Sequence, residues 1–261
     1  METISNRSGS SLANPTNLPD FIIIGAQKAG TSALRYNLNK HPDIYMATIE
    51  QGGSNEPNFF TRPKNWEKGL SWYTDLFQHP DKIQGEKSPD ILFNNQAIIR
   101  MAQTVPNAKL IVLLRDPVTR AYSAWNHNNQ IIDISQNWGW RAESFETALS
   151  LAEKQVAPFK QLINKGIYIA HINNLLQYFP REQLFFGIAE RFKQHPNEQL
   201  NKVLSFLGAA NMELKPEIRH DRKYTEPMNS ETKIHLKNLF KPINEQLYAF
   251  LGEEISEWQT T

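Results

Sequence analysis

Phe-Ile-Ile-Ile-Gly-Ala-Gln-Lys-Ala-Gly-Thr-Ser occupies residues 21–32. Its first five residues form a β-branched run that follows Pro19-Asp20 and closes on Gly25, a pattern that suits a strand buried on both faces of a parallel sheet. From Thr31 to Lys40 the chain carries Leu34 and Leu38 at i, i+4, and Pro42 limits the segment, so the spacing predicts a helix. Strand, Gly-containing loop and helix in immediate succession predict the opening of an α/β unit.

The rest of the chain repeats that alternation. Lys109–Leu114 (KLIVLL) is a second buried strand, and Leu184–Ile188 (LFFGI) and the weaker Lys82–Gly85 are further strand candidates. Gln96–Val105 places Ala97, Ile98, Met101, Ala102 and Val105 on one helical face. Asp116-Pro117 supplies an N-cap and a first-turn proline for a helix through Val118, Ala121, Tyr122 and Trp125. Phe145–Lys165 and Tyr168–Phe179 read as helices with Gly166 as a C-cap between them. Asn197–Leu207 ends at Gly208, and Glu231–Leu251 reads as a helix broken or kinked near Pro242. The expected fold is α/β: a three-layer sandwich with a central parallel sheet and a P-loop-like strand-loop-helix. Residues 1–18, polar and rich in Ser and Asn, read as a flexible tail, and residues 19–261 as one domain.

Composition narrows the function. The chain has 28 Lys and Arg against 27 Asp and Glu, a net charge of +1, which argues against a general nucleic-acid or anionic-membrane binder. Zero Cys excludes disulfides, thiolate catalysis, zinc ribbons and iron–sulfur clusters, and fits a reducing cytosol. The seven His are too widely spaced for a short metal motif. No apolar run reaches the roughly 18–20 residues that span a bilayer. A soluble, cytoplasmic protein without metal, nucleic-acid partner or membrane span is expected; oligomeric state is not legible.

Two blocks carry the chemistry. Gly25–Ser32 joins a buried strand to a helix, where backbone amides and the helix N-terminus would form an anion site; alternatively it is a Gly-containing strand–helix turn with no ligand. It resembles the nucleotide loop G-x-x-x-x-G-K-[ST], except that Thr31 stands in the lysine position and Lys28 lies inside the loop. Leu114–Ser123 sets Arg115 at the C-terminal end of a buried strand, where open α/β sheets place ligands, and Ser123 two turns into the next helix. An Arg and a hydroxyl hold a phosphate by charge-assisted bonds. Alternatively, Arg115 pairs with Asp116 or another carboxylate.

Together these blocks resemble the sulfotransferase superfamily, which uses 3′-phosphoadenosine 5′-phosphosulfate (PAPS). By that resemblance Lys28, Ala29, Gly30, Thr31 and Ser32 hold the 5′-phosphosulfate, and Arg115 and Ser123 the 3′-phosphate. Further segments narrow the resemblance to heparan sulfate N- and 3-O-sulfotransferases: His41-Pro42-Asp43, Asn55–Phe60 (the E-x-x-F-F element), Lys68–Tyr73 (K-G-x-x-W-Y), Gly85–Pro89 (E-K-[ST]-P), Arg120–His127, and His220–Tyr224. The resemblance implies Glu56 as catalytic base, Lys28 and Lys87 as charge-stabilising groups, His127 as a contributor to activity, and Arg222, Lys223 and Tyr224 as a loop closing over the nucleotide. The chain departs from the pattern at His220-Asp221, where Lys-Gly is usual. It also lacks the disulfide of the 3-O-type enzymes, as zero Cys requires. A soluble, bacterial-type relative is implied.

The acceptor then is a hydroxyl or amine of a sugar, polyketide or other metabolite, and no metal is implied. Two alternatives are a Mg-ATP-dependent P-loop kinase, disfavoured by Thr31 and by the absence of a Walker-B Asp after LIVLL, and a non-catalytic nucleotide-binding domain. Trp66, Trp72 and Tyr73 are expected in the core. Trp138 and Trp140 are acceptor-cleft candidates, and Glu86 and Lys87 read alternatively as a surface ion pair.

Overall fold

The structure, a computed structural model, describes residues 17–49, 55–130, 142–213 and 227–259. Five strands form one parallel sheet in the order β2-β3-β1-β4-β5: β1 (Phe21–Gly25), β2 (Ile44–Met46), β3 (Ile83–Lys87), β4 (Lys109–Leu114) and β5 (Leu184–Ile188). Every residue of β1 is buried, as a strand covered on both faces requires. Phe21 pairs with Gly85 on one side and Lys109 on the other. A Cβ at Gly85 would stand 2.3–2.6 Å from the Phe21 ring, so only glycine lets these two strands pair around that side chain.

The chain runs outward from β1 to β2, returns to β3, and then crosses to β4 on the opposite side of β1. That reversal puts the sheet's switch point at the C-terminal ends of β3, β1 and β4, where ligands bind in open α/β sheets. Helices flank the sheet, making the three-layer α/β sandwich that the sequence predicts. In chain order they are α1 (Thr31–Leu38), α2 (Pro63–Trp66), α3 (Gly69–Thr74), α4 (Asn95–Thr104), α5 (Pro117–Gln130), α6 (Phe145–Glu153), α7 (Gln161–Asn164), α8 (Tyr168–Leu175), α9 (Ala189–Gln194), α10 (Pro196–Leu207) and α11 (Ser230–Leu251). Asp116 caps α5, accepting from the Val118 amide at 3.1 Å and the Thr119 amide at 3.3 Å. Gly208 ends α10 in the left-handed conformation, φ 87°.

Three expectations change. Phe145–Lys165 is not one helix: Pro158 and a left-handed Gln155 (φ 56°) separate α6 from α7. Gly166 is not a left-handed C-cap; a Cβ there would stand 2.8 Å from the Phe240 ring, so close packing accounts for the glycine. Pro242 does not break α11, which is continuous from Ser230 to Leu251; the proline is exposed, so water can satisfy the carbonyl its ring leaves unbonded. A second buried cluster joins Val118 and Tyr122 of α5 to Phe145, Leu162 and Phe240, and Arg120, fully buried, donates to the Leu162 carbonyl.

Candidate active site

The loop after β1 leads into α1 through an open helix start. Lys28 and Gly30 both take left-handed conformations, φ 73° and 88°, and fold the chain back into the helix start. The N-cap residue is Gly30, without a side-chain cap, and the first turn has no acidic residue. The helix-start amides have no intrahelical acceptor, and the positive end of the helix dipole is not neutralised by its own side chains. An anionic phosphosulfate fits that donor set. Ala29 and Thr31 are buried beneath the loop, while Gly30 is exposed.

Two further cations converge on this loop. Arg115 leaves the end of β4, donates from Nη1 to the Lys28 carbonyl at 3.0 Å and from Nε to the Thr119 hydroxyl at 3.1 Å. It does not take Asp116 as a hydrogen-bond partner, because that carboxylate is engaged in capping α5. Lys87, the last residue of β3, donates to the Ser32 hydroxyl at 3.1 Å and to Glu56 Oε1 at 2.5 Å. Its side chain is 5% exposed and that of Glu56 24%, so the pair sits at the mouth of the site with the carboxylate outward. The surface-pair reading of Glu86 and Lys87 is therefore corrected: Lys87 pairs with Glu56, and Glu86 is fully buried.

Glu56 is held by a loop with aromatic anchors. Phe59 and Phe60 are buried, and Phe59 stacks on Tyr73 with ring centroids 4.4 Å apart, beside Trp66 at 5.0 Å. Tyr73 is thus in the core, as the sequence predicts, while Trp66 and Trp72 are half-buried and pack against it. Asn58, left-handed at φ 48°, donates from its side chain to Glu56 Oε2 at 3.4 Å and from its backbone to the Ser88 hydroxyl at 2.9 Å. Ser88 in turn donates to Glu86 Oε2 at 2.7 Å, and Tyr73 donates to Glu86 Oε1 at 3.1 Å. Burial pushes the Glu86 carboxyl up to about 7, opposed by the hydrogen bonds from Ser88 and Tyr73. Burial and the neighbouring Glu86 raise the Tyr73 phenol well above its ordinary value.

Sequence reasoning missed this buried carboxyl because the β3 candidate ended at Gly85. Extending the strand through Lys87 alternates the side chains and turns Glu86 inward. It also missed Lys165, which donates to Asp90 at 2.7 Å and to Gln27 of the loop at 3.0 Å, a pairing that only the α7–α8 corner creates. Ser123 is nearly buried on α5, and His127 follows it by four residues on the same helix face. His41 is structural in character: Nδ1 accepts from the Asp43 amide at 3.1 Å, and Nε2 lies 2.9 Å from the Ala210 carbonyl. Arg222, Lys223, Tyr224, Trp138 and Trp140 lie outside the described residues.

A parallel sheet whose first loop meets an uncapped helix start, with Lys87 bonded to Ser32 and Arg115 to the Lys28 carbonyl, defines a P-loop-like α/β protein. A family model described as a sulfotransferase domain matches residues 18–249, and the chain belongs to that family of transferases. The chain is 30% identical over 260 residues to the bifunctional heparan sulfate N-deacetylase/N-sulfotransferase 1 of Caenorhabditis elegans, covering 90% of this chain and 30% of that protein. It is 35% identical over 198 residues to the human heparan sulfate glucosamine 3-O-sulfotransferase 3B1, covering 73% of this chain and 46% of the relative. The chain thus spans less than half the length of either relative. A sulfotransferase from Alicyclobacillus acidocaldarius superposes with a TM-score of 0.75 at 27% identity, covering 93% of this chain and 99% of the other. The sulfotransferase domain from the curacin biosynthetic pathway shares the fold, with a TM-score of 0.53 at 16% identity. Among the described residues, no helix is long and apolar enough to cross a membrane.

Proposed function

We propose that residues 19–261 act as one catalytic unit that moves the sulfuryl group of PAPS to a hydroxyl or amine of a glycan or small-metabolite acceptor. The observation that carries this reading is the direct contact of Glu56 with Lys87, which itself touches Ser32 at the start of α1. A carboxylate and an anion-binding helix start share one cation, so acceptor and sulfuryl donor meet at one point.

In the proposed reaction the acceptor oxygen or nitrogen attacks sulfur in line, and the bond from sulfur to the 5′-phosphate oxygen breaks. The acceptor's proton passes to a Glu56 carboxylate oxygen, general-base work. The electron pair of the broken bond stays on the departing 3′,5′-adenosine bisphosphate. Lys28 and the α1 amides meet the charge growing on that oxygen, and Lys87 lies between the sulfuryl position and the base, a role strongest in the transition state. Arg115 and Ser123 hold the 3′-phosphate, and Arg222, Lys223 and Tyr224 are assigned to nucleotide binding. His127 contributes from the acceptor side. No metal is assigned to any step. The zero-Cys composition suits a cytosolic setting.

Calorimetry with 3′,5′-adenosine bisphosphate, and with ATP in the presence and absence of Mg²⁺, tests the donor. An acceptor panel of a glucosaminyl oligosaccharide, a phenol and a long-chain alcohol tests transfer from labelled PAPS. Tight, metal-independent binding of the bisphosphate with label in at least one acceptor is expected. Preference for Mg-ATP would replace this reading with a kinase.

A further inference from the structure

We infer that Glu86 is a positioning residue for the reaction, holding the Glu56 carboxylate in place through Ser88 and Asn58. The inference rests on the proposed role of Glu56 as base, and it assigns a task to a fully buried carboxylate that no reacting group touches. A lone acid inside a core of Phe59, Phe60 and Tyr73 is costly unless its oxygens are bonded. Here each oxygen has a donor, and the bonds lead outward to the site.

The directions of those bonds are determined. The Asn58 amide must donate, so the Ser88 hydroxyl accepts from it at 2.9 Å and spends its single proton on Glu86 Oε2 at 2.7 Å. Tyr73 spends its proton on Oε1 at 3.1 Å. The ionised carboxylate therefore matches its surroundings. A protonated Glu86 would donate to one of the two hydroxyls and strand that hydroxyl's own proton in an apolar pocket. Ser88 would then hold the Asn58 amide less firmly, and Asn58 carries the 3.4 Å bond to Glu56 Oε2. The charged groups that act on Glu86 are Glu56 from the loop and Lys87 from its own strand, with the Tyr73 phenol from α3. Because β3 alternates, residue 87 of the same strand carries the cation that grips the other Glu56 oxygen. Adjacent residues of one strand thus fix both oxygens of the base, one directly and one through a relay.

The test compares Glu86→Gln, Ser88→Ala and Glu56→Gln, each alone and in pairs with Glu56→Gln. Amide exchange at Asn58 is followed by NMR, and turnover is measured from labelled PAPS to the glucosaminyl oligosaccharide. Faster Asn58 exchange is expected in both Glu86→Gln and Ser88→Ala, with 3′,5′-adenosine bisphosphate affinity within about twofold of the parent. Displacing a catalytic group by about 1 Å costs up to roughly 100-fold, so kcat should fall by about 10- to 100-fold while the KM for PAPS holds. Added to Glu56→Gln, neither change should lower turnover further, since both act through that carboxylate. The acid limb of the pH–rate profile should shift in Glu86→Gln. If Glu86→Gln does not fold, Ser88→Ala reads the same link. Unchanged Asn58 exchange overturns the inference, as does a Ser88→Ala loss that multiplies in full with that of Glu56→Gln. A Glu56→Gln protein with parental turnover instead overturns the base assignment itself.

Discussion

Arg115→Ala separates a task that the structure gives this side chain from one that the proposal adds. Its guanidinium braces the phosphosulfate loop through the Lys28 carbonyl at 3.0 Å, and by the proposal also holds the 3′-phosphate. Losing an ordinary bond to a backbone carbonyl costs about 0.5–1.5 kcal/mol, which is roughly 2- to 12-fold in affinity for any ligand of the loop. Losing a charge-assisted contact to the 3′-phosphate costs about 1.5–3 kcal/mol more, roughly a further 10- to 150-fold. Adenosine 5′-phosphosulfate lacks the 3′-phosphate and feels only the first loss. Calorimetry should therefore show 3′,5′-adenosine bisphosphate weakened at least about tenfold more than adenosine 5′-phosphosulfate. Equal weakening of both would show that Arg115 only braces the loop, and would refute the 3′-phosphate assignment.

Lys87→Ala removes the cation shared by Glu56 and Ser32 and should lower kcat by about 100-fold or more, with bisphosphate affinity changed far less, read by steady-state kinetics and calorimetry. Gly85→Ala drives a Cβ into the Phe21 ring and should destabilise the fold by about 1–3 kcal/mol or more in urea titrations. The Glu86 carboxyl, raised from 4.5 to about 7, binds more proton in the native than in the unfolded state between those values, so its contribution to stability falls as pH rises through that window and is flat above it. Urea midpoints of the parent and Glu86→Gln, compared at pH 5 and pH 8, should move in favour of the variant at the higher pH. EDTA should leave sulfuryl transfer unchanged, since in the proposed reaction Lys28 and the α1 amides meet the donor's charge without a metal ion.

The long apolar signals of the sheet were legible. Phe21–Gly25 and Lys109–Leu114 are continuous buried runs, and their positions in the sheet explain why: β1 and β4 are interior strands covered on both faces. β2 is only Ile44–Met46, too short for periodicity to speak, and its existence depends on pairing with β3. Pro158 was available to divide Phe145–Lys165, whereas the tolerance of Pro242 depends on exposure that a sequence does not display. The candidate site could be proposed from sequence wherever its chemistry is local, as in the glycines, lysine and hydroxyls of residues 25–32. The relay from Glu86 to Glu56 was not, because it joins β3, α3 and a loop through bonds such as Asn58 to Ser88, 30 residues apart. Arg115 shows the middle case: the residue was identifiable, but its contact with the Lys28 carbonyl, 87 residues away, gives it a second task.

The most direct measurement is transfer of labelled sulfate from PAPS in EDTA to the acceptor panel, with the parent chain and Glu56→Gln side by side and bisphosphate affinity measured on both. The account predicts transfer by the parent, a loss of roughly 10²–10⁴-fold in the variant, and equal nucleotide affinity within about threefold. Parental turnover in Glu56→Gln, or no transfer by the parent to any acceptor while Mg-ATP is consumed, would contradict it.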